Sequence, residues 1–546
     1  MATTARSGLE YTAFDVRAAG GMAVVVLLVH IITNFVTPYE YHRDEFLYFA
    51  MGEHLRVWHM DFPPFIAMVA RVSHLMFGEW LPGMRLAPAL SHAALVASAA
   101  WSTWAFGGRR SAQLLAALAV ATSPLFMRAG ALFQPVTFDQ LWWTLALVSL
   151  MVRIRDDDPK HWIGLGIFLG LGALTKFSIA FIAVGIVVAV LATRLRRDLL
   201  TPYPWIGLAI AVAIGHPSIV GQIALGWPVV GQIAALRSTQ LARGGALDFL
   251  SGQASTGPIV MLALLGLVWT LAPRWVDPRR RGVDSVLEDS RSSSHLYAGE
   301  AESFDWRPIG IATSVAFLLL LALRGKSYYA GPIYPVLAAA GAAALDRISH
   351  TIAPRRPTKV LALAGAAVAV YGLATLPFGL PLLTPDQMVT ISEAVAPRGA
   401  NESNTGEQLS LPQDYADMTG WTEMVEAVAR VWHQLPPADT ANAVLIATNY
   451  GRAGALDFLG RKLGLPPVIS PAGSYWFFGP GARRGDVAVI VADDAAPLRK
   501  FYAEVTEMAR ITNAWGVPEE QTVRVYVCRL PLHSLAEVWP TLAGQN

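Results

Sequence analysis

Apolar runs long enough to cross a lipid bilayer recur through the first 380 residues of this 546-residue chain, and no other feature restricts its fold so severely. A hydrocarbon core about 30 Å thick takes roughly 20 apolar residues per helix. Backbone polar groups inside it must find their partners within the segment, which selects helices. The run from Gly20 to Val36 lacks a small-x-small cleavage pattern and reads as an uncleaved first span. Ten more candidates follow at 84–106, 110–127, 136–152, 161–176, 178–193, 203–223, 256–273, 308–323, 328–345 and 358–378, which predicts about eleven transmembrane helices. An odd count places whatever follows the last span on the side opposite the N-terminus.

Charge gives an independent test, because Lys and Arg collect in cytoplasmic loops. With the N-terminus inside, the inner segments carry Arg109 and Arg110, then Arg153, Arg155 and Lys160, then Arg194, Arg196 and Arg197. Arg274, Arg279 to Arg281, Arg347, Arg355, Arg356 and Lys359 complete the series. Twenty basic residues fall inside and 10 outside, so the sequence predicts a multi-pass membrane protein with a cytoplasmic N-terminus. The overall charge of +2 hides this asymmetry: residues 1–378 hold 30 Lys and Arg against 22 Asp and Glu, and residues 379–546 hold 12 against 18. The balance excludes a strongly basic nucleic-acid binder, and the single Cys528 excludes an intramolecular disulfide framework.

Three regions follow. Residues 1–383 form the membrane unit, with a first outer loop at 37–83. Residues 274–307 contain a polar, Ser-rich cytoplasmic linker. Residues 384–546 change character: 443–448, 486–491 and 522–528 read as buried strands with helical stretches such as 421–435 between them, giving an extracytoplasmic α/β domain.

The first outer loop concentrates chemistry. Arg43, Asp44, Glu45 and Tyr48 lie within six residues, and on a helix Asp44 and Tyr48 share a face at i,i+4 spacing. The plain alternative is a helix start, where acids suit the dipole. Asp61 follows in an Asp-Phe-Pro-Pro turn. Other outer loops bring the opposite charge: Lys176, Arg237, Arg243 and Arg324-Gly-Lys326-Ser-Tyr-Tyr329. Singly, such cations can snorkel. Together, facing a carboxylate loop at one interface, they suggest an anion site, and a lipid phosphate is the anion found at that depth. Asp139, at the outer start of a span, could orient one of them or cap its helix.

At these residues the sequence resembles the bacterial branch of the protein O-mannosyltransferase family, the GT-C glycosyltransferases that include the aminoarabinose transferases acting on lipid A. The carrying residues are Arg43-Asp44-Glu45, Asp61-Phe-Pro-Pro64, Leu174-Thr-Lys176 and Arg324-Gly-Lys326-Ser-Tyr-Tyr329 with Pro332 and Pro335. The tail segments Leu411-Pro-Gln-Asp-Tyr415, Asn449-Tyr-Gly-Arg-Ala-Gly454 and Ser474-Tyr-Trp-Phe-Phe-Gly479 look like those of bacterial relatives. The resemblance implies the GT-C fold and inverting transfer of a sugar from a polyprenyl-phosphate carrier to an acceptor hydroxyl. It implies Asp44 as general base with Glu45 beside it, and Lys176, Lys326 and Tyr329 at the donor phosphate, with Arg237 matched by its loop alone. Where the aminoarabinose transferases have a Lys-Pro pair, this chain has Asp61-Phe-Pro-Pro64, so a phosphate-binding lysine is missing there.

The chemistry agrees: a hydroxyl nucleophile needs a positioned carboxylate, and a departing phosphate needs fixed cations. A divalent metal could do the same work with Asp44, Glu45, Asp61 and His42 or His59 as ligands, but the motifs require none. The expected partners are the polyprenyl-phosphate sugar, a lipid, glycan or protein acceptor, and membrane lipids, with no nucleic acid. A secondary transporter or flippase is the rival class, as is a non-catalytic lipid- or sugar-binding subunit. Transporters place ionisable groups near the bilayer midplane, often within repeats, whereas here they cluster at one interface.

Overall fold

A computed structural model describes residues 13–241, 244–273, 304–395 and 401–542. Arg243 and most of the expected linker at 274–307 lie outside these residues. Each of the eleven expected spans falls on a helix, from Val16–Val36 through Leu86–Ala105, Pro135–Asp156 and Tyr203–Ala224 to Pro357–Gly379. Four are long and apolar enough to cross a bilayer unaided, and seven if each bent pair counts as one span. Others are cut short by breaks: Trp162–Thr175 and Ile179–Ala192 have 14 residues each, and Lys176 lies in the gap between them.

One break shows how its cost is met. Arg110–Thr122 and Pro124–Ala131 meet at 58°. Pro124 has no N–H for the carbonyl of Val120, four residues earlier. His92 Nε2 donates to that carbonyl at 3.2 Å, and His92 Nδ1 then accepts from His30 Nε2 at 2.8 Å. Elsewhere small residues bring helices together. Gly266 and Gly341 let Ile259–Leu271 and Tyr334–Ile352 touch along their backbones, and a Cβ at either would collide with a facing carbonyl.

The basic loops assemble at one end of the bundle. Arg110 pairs with Asp15 at 2.7 Å, Arg109 with Asp346 at 3.4 Å and Arg153 with Asp198 at 2.6 Å, while Arg155 lies 3.8 Å over the Trp104 ring. The opposite end carries the first outer loop, folded as helices Arg43–Glu53 and Phe65–Phe77, and over it stands the C-terminal unit.

That unit holds a five-stranded sheet of β1 (Val444–Ala447), β2 (Val468–Ile469), β3 (Val487–Ala492), β4 (Tyr502–Thr512) and β5 (Thr522–Pro531), in the order β2-β1-β3-β5-β4. β1 runs parallel to β2 and β3, and β5 is antiparallel to β3 and β4. Helices Trp421–His433 and Tyr450–Leu459 contribute to a core that continues without a break into the first outer loop, joining Leu445, Val489 and Val525 to Trp421 and Phe458 and then to Phe46, Phe49 and Ile66. The loop thus packs with the C-terminal unit as much as with the membrane unit.

Candidate active site

Helix Arg43–Glu53 starts at a reciprocal cap: His42 Nδ1 accepts from the Asp44 N–H at 3.0 Å, and Glu45 Oε2 accepts from the His42 N–H at 2.7 Å. The two adjacent acids therefore separate. Glu45 is fully buried and saturated, taking Arg85 Nε at 2.8 Å and the Phe133 N–H at 2.7 Å on Oε1, and Arg85 Nη2 at 2.6 Å on Oε2 beside the cap. Four donors thus occupy the two Glu45 oxygens, and the carboxylate ties the helix start to Arg85 and the Phe133 backbone. Asp44 is half-buried and open by comparison. Its Oδ1 accepts the Tyr450 hydroxyl at 2.9 Å, and its Oδ2 has, among the described residues, only the Gln134 amide at 3.5 Å.

Around Asp44 the structure brings together Tyr48, Lys176, Lys326 and Tyr329. Tyr48 feels the charge of Asp44 and also faces Tyr450 and Tyr329. Lys176 extends from the break after Trp162–Thr175, its Nζ 4.7 Å from the Tyr329 ring centre and 5.9 Å from that of Tyr328. Arg324 takes a left-handed backbone (φ 54°) that ends helix Arg307–Ala322 and turns Gly325 and Lys326 toward the site. Lys326 Nζ donates to Asn404 Oδ1 at 2.6 Å. Burial pushes the Lys326 ammonium below the ordinary lysine range and the like charge of Lys176 adds to this, against the pull of Asp414 and Asp44. A lysine whose charge is disfavoured by burial and by a second lysine is suited to an arriving anion.

Asp139 lies a turn inside Pro135–Asp156, accepting from Ser178 Oγ at 2.8 Å and Trp143 Nε1 at 3.0 Å. It braces the chain break that carries Lys176. Arg43 turns toward the C-terminal unit, 2.8 Å from Glu519 and 3.6 Å from Asp417, and caps the Tyr450 ring at 5.5 Å. Arg43 thereby clamps the loop to the C-terminal unit. Arg237 is exposed and makes no hydrogen bond, ion pair or ring contact with the group among the described residues.

Asp61 is buried apart from Asp44, accepting from Ser474 Oγ at 2.9 Å and Gln232 Nε2 at 3.4 Å in a small recess that His54, His59 and Phe478 help to line. Burial pushes its carboxyl up to about 6. Beneath Asp44, Arg128 meets Asp414 at 2.7 Å, and His42 Nε2 stands 3.7 Å from both Asp414 and Asp417. Burial favours the neutral ring, but the surrounding carboxylates of Asp414, Asp44 and Asp417 outweigh it and lift His42 above its ordinary value. Among the described residues no three His, Cys, Asp or Glu side chains are grouped to hold a metal ion.

Sequence reasoning gave no role to Tyr450, Gln134, Asp414 or Arg128. For Tyr450 a signal existed in the Asn449-Tyr-Gly-Arg-Ala-Gly454 segment, whose parts now have reasons. Asn449 caps the helix, Gly451 and Gly454 allow contact with Arg43 and Phe46, and Arg452 pairs with Glu520 at 2.8 Å.

Comparison with known proteins adds three observations. Residues 61–220 match the family described as dolichyl-phosphate-mannose-protein mannosyltransferase. No curated protein matches the chain in sequence. Among solved structures, ArnT from Cupriavidus metallidurans in the apo state superposes with a TM-score of 0.57 at 16% identity, over 97% of this chain and 100% of that one. The same protein bound to undecaprenyl phosphate gives 0.54 at 15% identity, over 93% and 97%. The chain is therefore a multi-pass protein with the GT-C fold of ArnT, carrying in residues 61–220 the sequence signature of the dolichyl-phosphate-mannose-protein mannosyltransferase family.

Proposed function

We propose that the chain is an inverting glycosyltransferase that moves a sugar from a polyprenyl-phosphate carrier to an acceptor hydroxyl on the outer face of the bacterial inner membrane. The observation that carries this reading is the half-buried Asp44, one oxygen anchored and the other unsaturated, with Lys176 and Lys326 nearby. ArnT, whose fold the chain shares, has been crystallised with undecaprenyl phosphate.

In this mechanism the acceptor hydroxyl gives its proton to Asp44 Oδ2 as its oxygen attacks the anomeric carbon. The bond from that carbon to the carrier phosphate breaks on the opposite face, its electron pair goes to the phosphate oxygen, and the configuration inverts. Lys176 and Lys326 stabilise the charge that builds on the departing phosphate more than that of the resting diester. Tyr329, beneath Lys176, fixes where that ammonium sits.

Asp44→Asn keeps the shape but cannot take the proton. Transfer in purified membranes should fall about 10²- to 10⁴-fold, with undecaprenyl phosphate binding within twofold of wild type. Undiminished transfer by this variant would sink the assignment.

A further inference from the structure

A carboxylate serves as a base only if one oxygen is held toward the hydroxyl it deprotonates, and no residue of its own helix donates to the Asp44 side chain. The two firm contacts of helix Arg43–Glu53 at this point belong to His42 and Glu45. What restrains Asp44 comes from 406 residues further along the chain: the Tyr450 phenol donates to Oδ1 at 2.9 Å, whereas Oδ2 meets Gln134 only at the 3.5 Å limit. The geometry points to Tyr450 as the positioning residue for Asp44, anchoring Oδ1 so that Oδ2 faces the acceptor, which makes the C-terminal unit a working part of the catalytic site. This rests on the glycosyltransferase reading and deepens it.

The anchor is itself held by its neighbours. Asn449 caps the helix by accepting the Arg452 N–H at 2.9 Å and is tied to Glu520 at 2.7 Å. Gly451 admits the Arg43 side chain, whose guanidinium covers the Tyr450 ring. Burial and the adjoining Asp44 charge raise the phenol well above the ordinary tyrosine range, so it remains a donor across physiological pH. The same surface repeats the device. A Cβ added at Gly473 would lie 3.6 Å from the Tyr450 ring, so the two are neighbours, and the next residue, Ser474, gives its hydroxyl to Asp61. Asp44 and Asp61 of the first loop are thus each held by a hydroxyl of the C-terminal unit.

The test compares wild type, Tyr450→Phe, Asp44→Asn and the double variant as full-length proteins in proteoliposomes. The donor is the polyprenyl-phosphate sugar fraction extracted from a strain lacking the gene, and membranes of that strain supply the acceptor. Tyr450→Phe should lower kcat about 10- to 100-fold, the range for loss of one hydrogen bond to a charged group. KM for the donor, and binding of undecaprenyl phosphate alone, should stay within twofold. The double variant should be no slower than Asp44→Asn, because the phenol acts through that carboxylate. An unchanged kcat, losses that multiply in the double variant, or loss of undecaprenyl phosphate binding together with kcat would each overturn the inference. A wild-type protein that transfers nothing would instead strike the glycosyltransferase reading itself.

Discussion

At residue scale, the most instructive outcome is the divergence of Asp44 and Glu45. Adjacent in sequence and alike in chemistry, they part because a helix start turns consecutive side chains about 100° from each other. One meets Tyr450 and the other is driven onto Arg85. A buried ion pair of this kind costs most when only one partner is removed. Arg85→Ala should therefore destabilise the protein by about 3–5 kcal/mol, read as a drop in the thermal unfolding midpoint in detergent, and Glu45→Gln with Arg85→Met should recover part of it. If Glu45→Gln instead left unfolding untouched while abolishing transfer, the structural role given to Glu45 would be wrong. From sequence, the acid pair was legible as a feature, but the division of labour was not. Deciding it required Arg85, 40 residues away and unremarkable in its own segment, and Tyr450, in a different domain.

At the scale of elements, the helices were readable because apolar runs punctuated by charged loops leave little choice of backbone; all eleven expected spans became helices. Their interruptions were harder to see. The break at Pro124 is legible as a proline, yet its repair by His92 depends on a helix about 30 residues upstream in the chain. In the C-terminal unit, β1, β3 and β5 lie where buried apolar runs were expected. β4 was missed because it is an edge strand whose side chains are mostly exposed, including Glu504, Glu507 and Arg510, so no apolar run marks it. The junction between first loop and C-terminal unit hangs on small residues. A Cβ at Gly454 would stand 2.5 Å from that of Phe46, so Gly454→Val should force helices Arg43–Glu53 and Tyr450–Leu459 apart at a cost of about 1–3 kcal/mol. Limited proteolysis should then cut between the membrane and C-terminal units faster than in wild type, while the membrane helices stay protected. Equal cleavage rates would show that the contact is slack.

For the whole molecule, the charge asymmetry of the sequence has a spatial counterpart. The basic loops interlock at one end of the bundle through Asp15, Asp198 and Asp346, and the acid-and-lysine cluster occupies the other. Combined with the preference of Lys and Arg for the cytoplasm, this supports the proposal that the C-terminal unit faces outward. A periplasmic reporter fused after residue 384 should be active and one inserted within 282–306 silent; the reverse pattern would invert the orientation and with it the side on which transfer is proposed.

The stitching of the first loop to the C-terminal unit also shapes how substrates arrive. Glu40 accepts the backbone N–H groups of Trp421 and Thr422, Glu519 holds Arg43, and Glu79 holds Lys462 at 2.8 Å. The C-terminal unit is thereby tied down beside Asp44 at three separate points of the loop. In the proposed reaction the carrier lipid reaches Asp44 by sliding sideways within the leaflet, and the traffic is two-dimensional. The quantity that governs how often donor meets enzyme is the number of carrier molecules per unit of membrane area, whatever the volume of the surrounding compartment.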